Sequence, residues 1–404
     1  MKRVLFVDDE PRVLGQLQQM LESQKDQWDM AFAPGGEAAL TLLDASSFDV
    51  VVSDIAMPGM DGAALMKIVC ERYPATVRIV LSAPQEMEEA LRAVPVAHQF
   101  LLKPCDPNML RVAVERATSL SSILSSKLLA NLVGSVKDLP VLPRTYMALR
   151  QKLAEPEASI RDVVHIVEQD VAISAKILQL VNSAFFGLPR EVSSVKTAVG
   201  FLGIEMLQNL VLSAGVFTIF DQLAQLPGFS CEELQAHSQL TAKIAGQIPA
   251  SAHVRGVAVV AGLLHDVGKL VLATRAPAHF KRALKGAEME GLPLYSVETE
   301  LMAVSHAEVG AYLLGIWGLP SPVVEAVAHH HHPERVPQDS LDAVGIVYIS
   351  NILAHQVADR APSPESMARM EIDPDYLERL GVSEQFPSWQ EMAKASAGEL
   401  HVEK

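Results

Sequence analysis

The 404 residues are too many for one ordinary core and, at about 100–200 residues per domain, divide into two or three. With 49% hydrophobic and 20% charged residues the composition is globular, which excludes a disordered or fibrous chain. A formal charge of −15 opposes a general DNA binder, which needs clustered Lys and Arg to displace phosphate counterions, so no nucleic-acid partner is expected.

The start, MKRVLFVDDEPRV, meets acidic residues after only four apolar ones, and so reads as a β-strand rather than a secretion signal. To about residue 118, apolar runs at Val4–Val7, Trp28–Phe32, Val50–Ser53, Arg78–Leu81 and Phe100–Leu102 alternate with helical patterns. The helices fall at Pro11–Ser23, Glu37–Asp44, Gly62–Arg72, Glu86–Val94 and Pro107–Ala117. Five strands alternating with five helices predict an α/β domain with a doubly wound five-stranded parallel sheet. The polar site of such a sheet lies beyond the carboxyl ends of its strands, where Asp8, Asp54, Ser82 and Lys103 stand.

The helical period continues from Pro107 past Leu132, with Leu110, Ala113, Ala117, Leu120 and Leu124 forming an apolar stripe that predicts a linker helix and a homodimer seam. Beyond Gly134 no strand series is evident. Leu139-Pro-Val-Leu-Pro143 makes an extended bend, and Ser159 with Asp162 caps a helix start. Amphipathic helices are expected at Val171–Ala184, Glu205–Asp221, Cys231–Gln247, Val254–Ala273 and His306–Trp317, giving an all-α second domain. The Val254–Ala273 run carries Arg255, His265, Asp266 and Lys269, which are costly in hydrocarbon, so no membrane partner is expected. Cys70, Cys105 and Cys231 form neither a CxxC pair nor a disulfide ladder, which points to the reducing cytoplasm. The expected boundaries are 1–118 for the first domain, 119–133 for a linker, 134–362 for the second and 363–404 for a polar, partly helical tail.

Carboxylates at Asp8, Asp9 and Asp54 supply hard oxygen ligands for Mg²⁺. Asp54 then serves as a nucleophile forming an acyl phosphate, with Lys103 and Ser82 donating to its phosphoryl oxygens. Singly, an Asp after a strand caps a helix and a lone Lys is solvated; it is the set that points to phosphotransfer. VLFVDDE, VVSDIAMPGMDG, IVLSA and FLLKP resemble, in order, the motifs of response-regulator receiver domains. The resemblance implies that Asp54 accepts phosphate from a sensor histidine kinase and that Asp8, Asp9, Asp54 and the Ala56 carbonyl hold Mg²⁺. It also makes Phe100 the aromatic switch that follows Ser82. Ala56 stands where the family commonly has a polar side chain and Pro84 lies two after Ser82, which concerns hydrolysis rate.

The second domain gathers His237, His265-Asp266, Lys269, His306 and the run His329 to His332. A His-Asp pair on a helix diverges by about 100° and can form a buried hydrogen-bonded pair or part of a metal site. DLPVLPRT, EQDVAISAKILQLVNSAFFG, AVGFLGIEMLQNLVL, AGLLHDVGKLVL, SHAEVGAYLLGIWGLP and AVAHHHHPE resemble the HDOD domain, an HD-related regulatory family. That resemblance implies a non-catalytic module contacting a downstream signalling protein. The HD ligand pattern maps to His237, His265, Asp266 and a late-helix carboxylate whose place is taken by Asn351, with His306, His330 and His331 as substitute ligands. Fe, Mn or Zn is expected to bind weakly or not at all in this vestigial HD site. The alternative is a metal-dependent HD-type phosphohydrolase or cyclic-dinucleotide phosphodiesterase, against which the absence of a GYP signature after His332 also counts.

Overall fold

A computed structural model describes residues 1–120, 133–136, 140–141, 143–153, 155, 158–182, 192–212, 218–219, 226–338, 340–358 and 372–402. The first domain alternates β1 (Lys2–Val7), α1 (Pro11–Met20), β2 (Trp28–Ala33), α2 (Gly36–Ala45), β3 (Val50–Asp54), α3 (Gly62–Arg72), β4 (Val77–Ser82), α4 (Met87–Ala93), β5 (Gln99–Leu102) and α5 (Pro107–Leu120). All strand pairs are parallel, in the order β2-β1-β3-β4-β5, as the alternation predicts. The register sets Val7 beside Ser53, Asp54 beside Leu81 and Ser82 beside Leu102. The residues that end or follow these strands therefore share one edge. Val4, Leu5, Val50, Val51, Val52, Ile79 and Val80 are wholly buried, because helices cover both faces of the sheet.

The second domain is helical: α6 (Pro143–Leu153), α7 (Ile160–Glu168), α8 (Val171–Asn182), α9 (Val195–Leu212), α10 (Cys231–Gln247), α11 (Ala252–Leu264), α12 (Val267–Arg275), α13 (Pro277–Glu290), α14 (Leu294–Met302), α15 (His306–Ile316), α16 (Ser321–His329) and α17 (Ala343–Ala358). Ser159, as expected, accepts from the Asp162 amide at 3.1 Å and caps α7. Two further helices, α18 (Pro374–Arg379) and α19 (Phe386–Val402), form the tail. α19 packs on α10 and α17, where Lys243 Nζ reaches the Ser396 carbonyl at 3.4 Å.

Three expectations change. The run Val254–Ala273 is two helices rather than one, because the chain turns at His265 and Asp266 to bring both side chains inward. Taken as one apolar 24-residue stretch, Ala252–Arg275 is long enough to cross a membrane, yet 83% of its apolar window is buried inside the protein. α8 is not amphipathic, since every residue from Val171 to Val181 is buried. Two short strands, Pro140–Val141 and Thr218–Ile219, pair in parallel within the helical domain. The linker helix is described to Leu120; Leu124 and the rest of residues 121–132 lie outside the described residues.

Candidate functional site

The acidic site forms where β1, β3 and β5 end. Asp8, Asp9 and Asp54 bring one carboxylate oxygen each within 4.8 Å of one another, a spacing suited to a divalent ion. Lys103 Nζ lies 2.5 Å from Asp54 Oδ1 and 2.9 Å from Asp8 Oδ2. Lys103 follows β5 across a cis peptide to Pro104, and its backbone nitrogen donates to the Ser82 carbonyl at 2.9 Å. Burial pushes the Asp54 carboxyl up to about 6, although Lys103 opposes the shift. Burial would lower Lys103, but its bonds to Asp54 and Asp8 raise it.

Ser82 is fully buried and its hydroxyl donates to the Ala83 carbonyl at 3.2 Å. Phe100 is buried in β5, and Ala56 sits exposed in the bend after β3. Gly62 belongs to this geometry: a Cβ there would stand 2.1 Å from the Asp54 carbonyl oxygen, so only glycine lets α3 start against the strand that carries Asp54. Glu86, which the sequence did not mark, accepts from the Ala83 amide at 2.7 Å and adds a negative charge near Asp54.

The histidine cluster is built from α10, the α11–α12 turn, α15, the end of α16 and α17. Two triads, His237 with His265 and Asp266, and His306 with His330 and His331, each bring ligand atoms within 4.8 Å. Asp266 joins them: its Oδ1 lies 3.2 Å from His306 Nε2 and 3.9 Å from His330 Nε2, and its Oδ2 lies 3.4 Å from His265 Nε2 and 2.7 Å from Lys269 Nζ. His237 Nε2 is 2.8 Å from Asn351 Oδ1, so the amide engages the histidine that it was expected to accompany. The structure thus gathers every residue of the proposed HD pattern.

The orientation of the rings decides what this cluster offers. His265 and His330 each donate Nδ1–H to a carbonyl three residues earlier, Gly262 and Val327, both at 2.7 Å. A carbonyl only accepts, so each Nε2 is a lone pair, and both are buried without a partner, as is Asp266 Oδ1. Two ring lone pairs buried without a donor, beside the Asp266 carboxylate, are costly unless a cation or water lies among them. The donor set therefore fits a borderline metal ion of the Fe, Mn or Zn kind.

Burial and neighbouring rings hold His237, His330 and His331 well below the ordinary histidine range, and His355 at about 4. Burial alone would raise Asp266, but His265 and Lys269 pull it well below the usual carboxylate range.

A family model for the response regulator receiver domain matches residues 4–115, and one for the HDOD domain matches residues 139–333. The chain joins a receiver domain to an HDOD domain. An uncharacterized protein of Treponema pallidum is 27% identical over 250 residues, covering 61% of this chain and 48% of its own. The positive alginate biosynthesis regulatory protein of Pseudomonas aeruginosa is 38% identical over 125 residues, or 28% of this chain and 46% of its own. The chain thus spans about half the length of these curated relatives. Among solved structures, a virulence factor from Campylobacter jejuni shares the fold, with a TM-score of 0.51 and 19% identity over 68% of this chain and 100% of that one. The MmoQ response regulator from Methylococcus capsulatus is 24% identical over 60% of this chain and 98% of its own, with a TM-score of 0.47.

Two residues of the HDOD cluster lie outside the sequence reading. Glu298, on α14 and fully buried, accepts from the His306 amide at 2.8 Å and from His306 Nδ1 at 2.6 Å. His355, on α17, stacks on His237 with ring centroids 4.1 Å apart. His355 falls four residues after Asn351, one helical turn on, which is the only sequence signal that could have found it.

Proposed function

We propose that this chain is a cytoplasmic response regulator in which a histidine kinase phosphorylates Asp54, and that the receiver thereby controls the HDOD domain as a contact module for a downstream signalling protein. The observation that carries the reading is the Lys103 ammonium, 2.5 Å from Asp54 and 2.9 Å from Asp8 at the edge where three carboxylates meet. An Asp54 oxygen attacks the donor's phosphorus and the donor's leaving group departs with the bond's electrons. Mg²⁺, held by Asp8, Asp9, Asp54 and the Ala56 carbonyl, would neutralise charge on the incoming group. Lys103 pairs with one phosphoryl oxygen, and the Ser82 hydroxyl turns from Ala83 to donate to another.

Incubation with Mg²⁺ and a small acyl-phosphate donor will give one hydroxylamine-sensitive phosphate per chain, and none in Asp54→Asn. A variant that still took up such phosphate would remove the assignment.

A second reading, a metal-dependent HD-type phosphohydrolase or cyclic-dinucleotide phosphodiesterase, is favoured by the partnerless His265 Nε2, His330 Nε2 and Asp266 Oδ1. Against it stands Asn351, a neutral amide in place of an anionic ligand. Stoichiometric Fe, Mn or Zn in purified protein, with turnover of cyclic dinucleotides lost in His265→Ala and Asp266→Ala, would establish this reading over the first.

A further inference from the structure

The loop that leaves β4 reads Ser82-Ala83-Pro84-Gln85-Glu86. Pro84 has no amide to donate and a fixed φ, so it starts a turn, and Pro84–Glu86 make one turn of 3₁₀ helix. Glu86 closes that turn twice over. Its amide donates to the Ala83 carbonyl at 3.0 Å, and its Oε2 accepts from the Ala83 amide at 2.7 Å. A carboxylate at this spacing is ordinarily a local brace.

The position of the turn gives Glu86 a second role. β4 runs in register with β3, so that Leu81 stands opposite Asp54 and takes the Ile55 amide on its carbonyl at 3.0 Å. Ala83 lies two residues further, about 7 Å along the chain, and accepts the Ser82 hydroxyl on the edge where Asp8, Asp9 and Asp54 gather. Glu86 is near enough to Asp54 for its charge to favour the protonated carboxyl there. Lys103 is already engaged by Asp54 and Asp8. With one divalent cation it balances the three aspartates. Glu86 is a further negative charge at that edge, and a phosphoryl group brings roughly two more.

We propose that Glu86 is an internal competitor of the phosphoryl group: its carboxylate occupies the Ala83 amide beside Ser82 and repels the incoming anion, which enters when this half-buried side chain yields the amide to a phosphoryl oxygen and turns to solvent. The proposal rests on the Asp54 reading. The same charge attracts the divalent ion. One side chain thus acts on the site's cation and on its anion with opposite signs.

Calorimetric titration of the full chain tests this in wild type, Glu86→Gln and Glu86→Ala, first with Mg²⁺ alone and then with beryllium fluoride, a phosphoryl mimic, at saturating Mg²⁺. Glutamine keeps an acceptor for the Ala83 amide and loses the charge; alanine loses both. Glu86→Gln is expected to bind beryllium fluoride at least about 5-fold more tightly than wild type, and Mg²⁺ alone more weakly. A change in packing would move both affinities the same way. Equal or weaker beryllium fluoride binding in Glu86→Gln, or tighter binding without a fall in Mg²⁺ affinity, would overturn the proposal and leave Glu86 a brace of the turn, with Asp54 intact. Failure of all three proteins to bind beryllium fluoride would remove the Asp54 reading and the competitor with it. Circular dichroism establishes that each variant is folded; should Glu86→Gln not be, Glu86→Ala decides by the same two titrations.

Discussion

A Cβ on Gly268 would stand 1.9 Å from the carbonyl oxygen of His306, so α12 and α15 meet backbone against backbone. That approach is what sets Asp266, two residues before Gly268, within 3.2 Å of the His306 ring. Gly268→Ala will force the helices apart and destabilise the HDOD domain by about 2–3 kcal/mol. Chemical denaturation measures this directly, and an unchanged midpoint would refute the contact.

Asp54 titrates at about 6, above the ordinary 3.8, because burial outweighs the attraction of Lys103. Between those values the folded chain holds a proton that the unfolded chain has released. The associated stability is fully present below about pH 4 and is lost as pH rises through about 6. Asp54→Asn cannot ionise, so in Mg²⁺-free buffer it will be the more stable protein at pH 7.5, by on the order of 2 kcal/mol, and equal to the parent at pH 4. Parallel stability curves across that range would contradict the buried-carboxylate account.

Glu298 fixes the His306 ring through Nδ1 and thereby turns Nε2 toward Asp266. If the cluster takes a metal, Glu298→Gln will lower its affinity by about 10–100-fold, the usual effect of removing a carboxylate behind a ligating histidine. Calorimetric titration with Mn²⁺ or Zn²⁺ reads it. Equal affinity in the variant would make Glu298 a packing residue only.

The phosphoryl group on Asp54 will be long-lived, because the Ala56 methyl and the Pro84 ring have no polar atom to orient an attacking water. Ala56→Asn will shorten its lifetime. A wild-type half-life of seconds, without any phosphatase, would exclude the idea.

The receiver was legible in sequence because its information is local: β-branched runs name the strands, and each functional residue stands at a strand end, where parallel pairing must bring them together. The HDOD site was legible as a list of residues but not as an arrangement. The helical apolar pattern on both sides of His265 and Asp266, from Val254 to Ala273, hides the turn there, which the demands of the cluster impose. Glu298 reads as one more charge on a surface helix until α15 packs over it. Lys176 and Gln179 read as the polar face of α8, and only the receiver's carbonyls explain why both are buried.

The buried Arg78 reaches out of β4 to the Gly134 carbonyl at 2.7 Å, and a Cβ on Gly134 would stand 1.8 Å from the Pro74 carbonyl oxygen. The chain is therefore moored to the receiver again just before the HDOD domain begins. A domain tethered this closely faces its partner at an effective concentration in the millimolar range. Contacts too weak to join two separate proteins can therefore hold the two domains together.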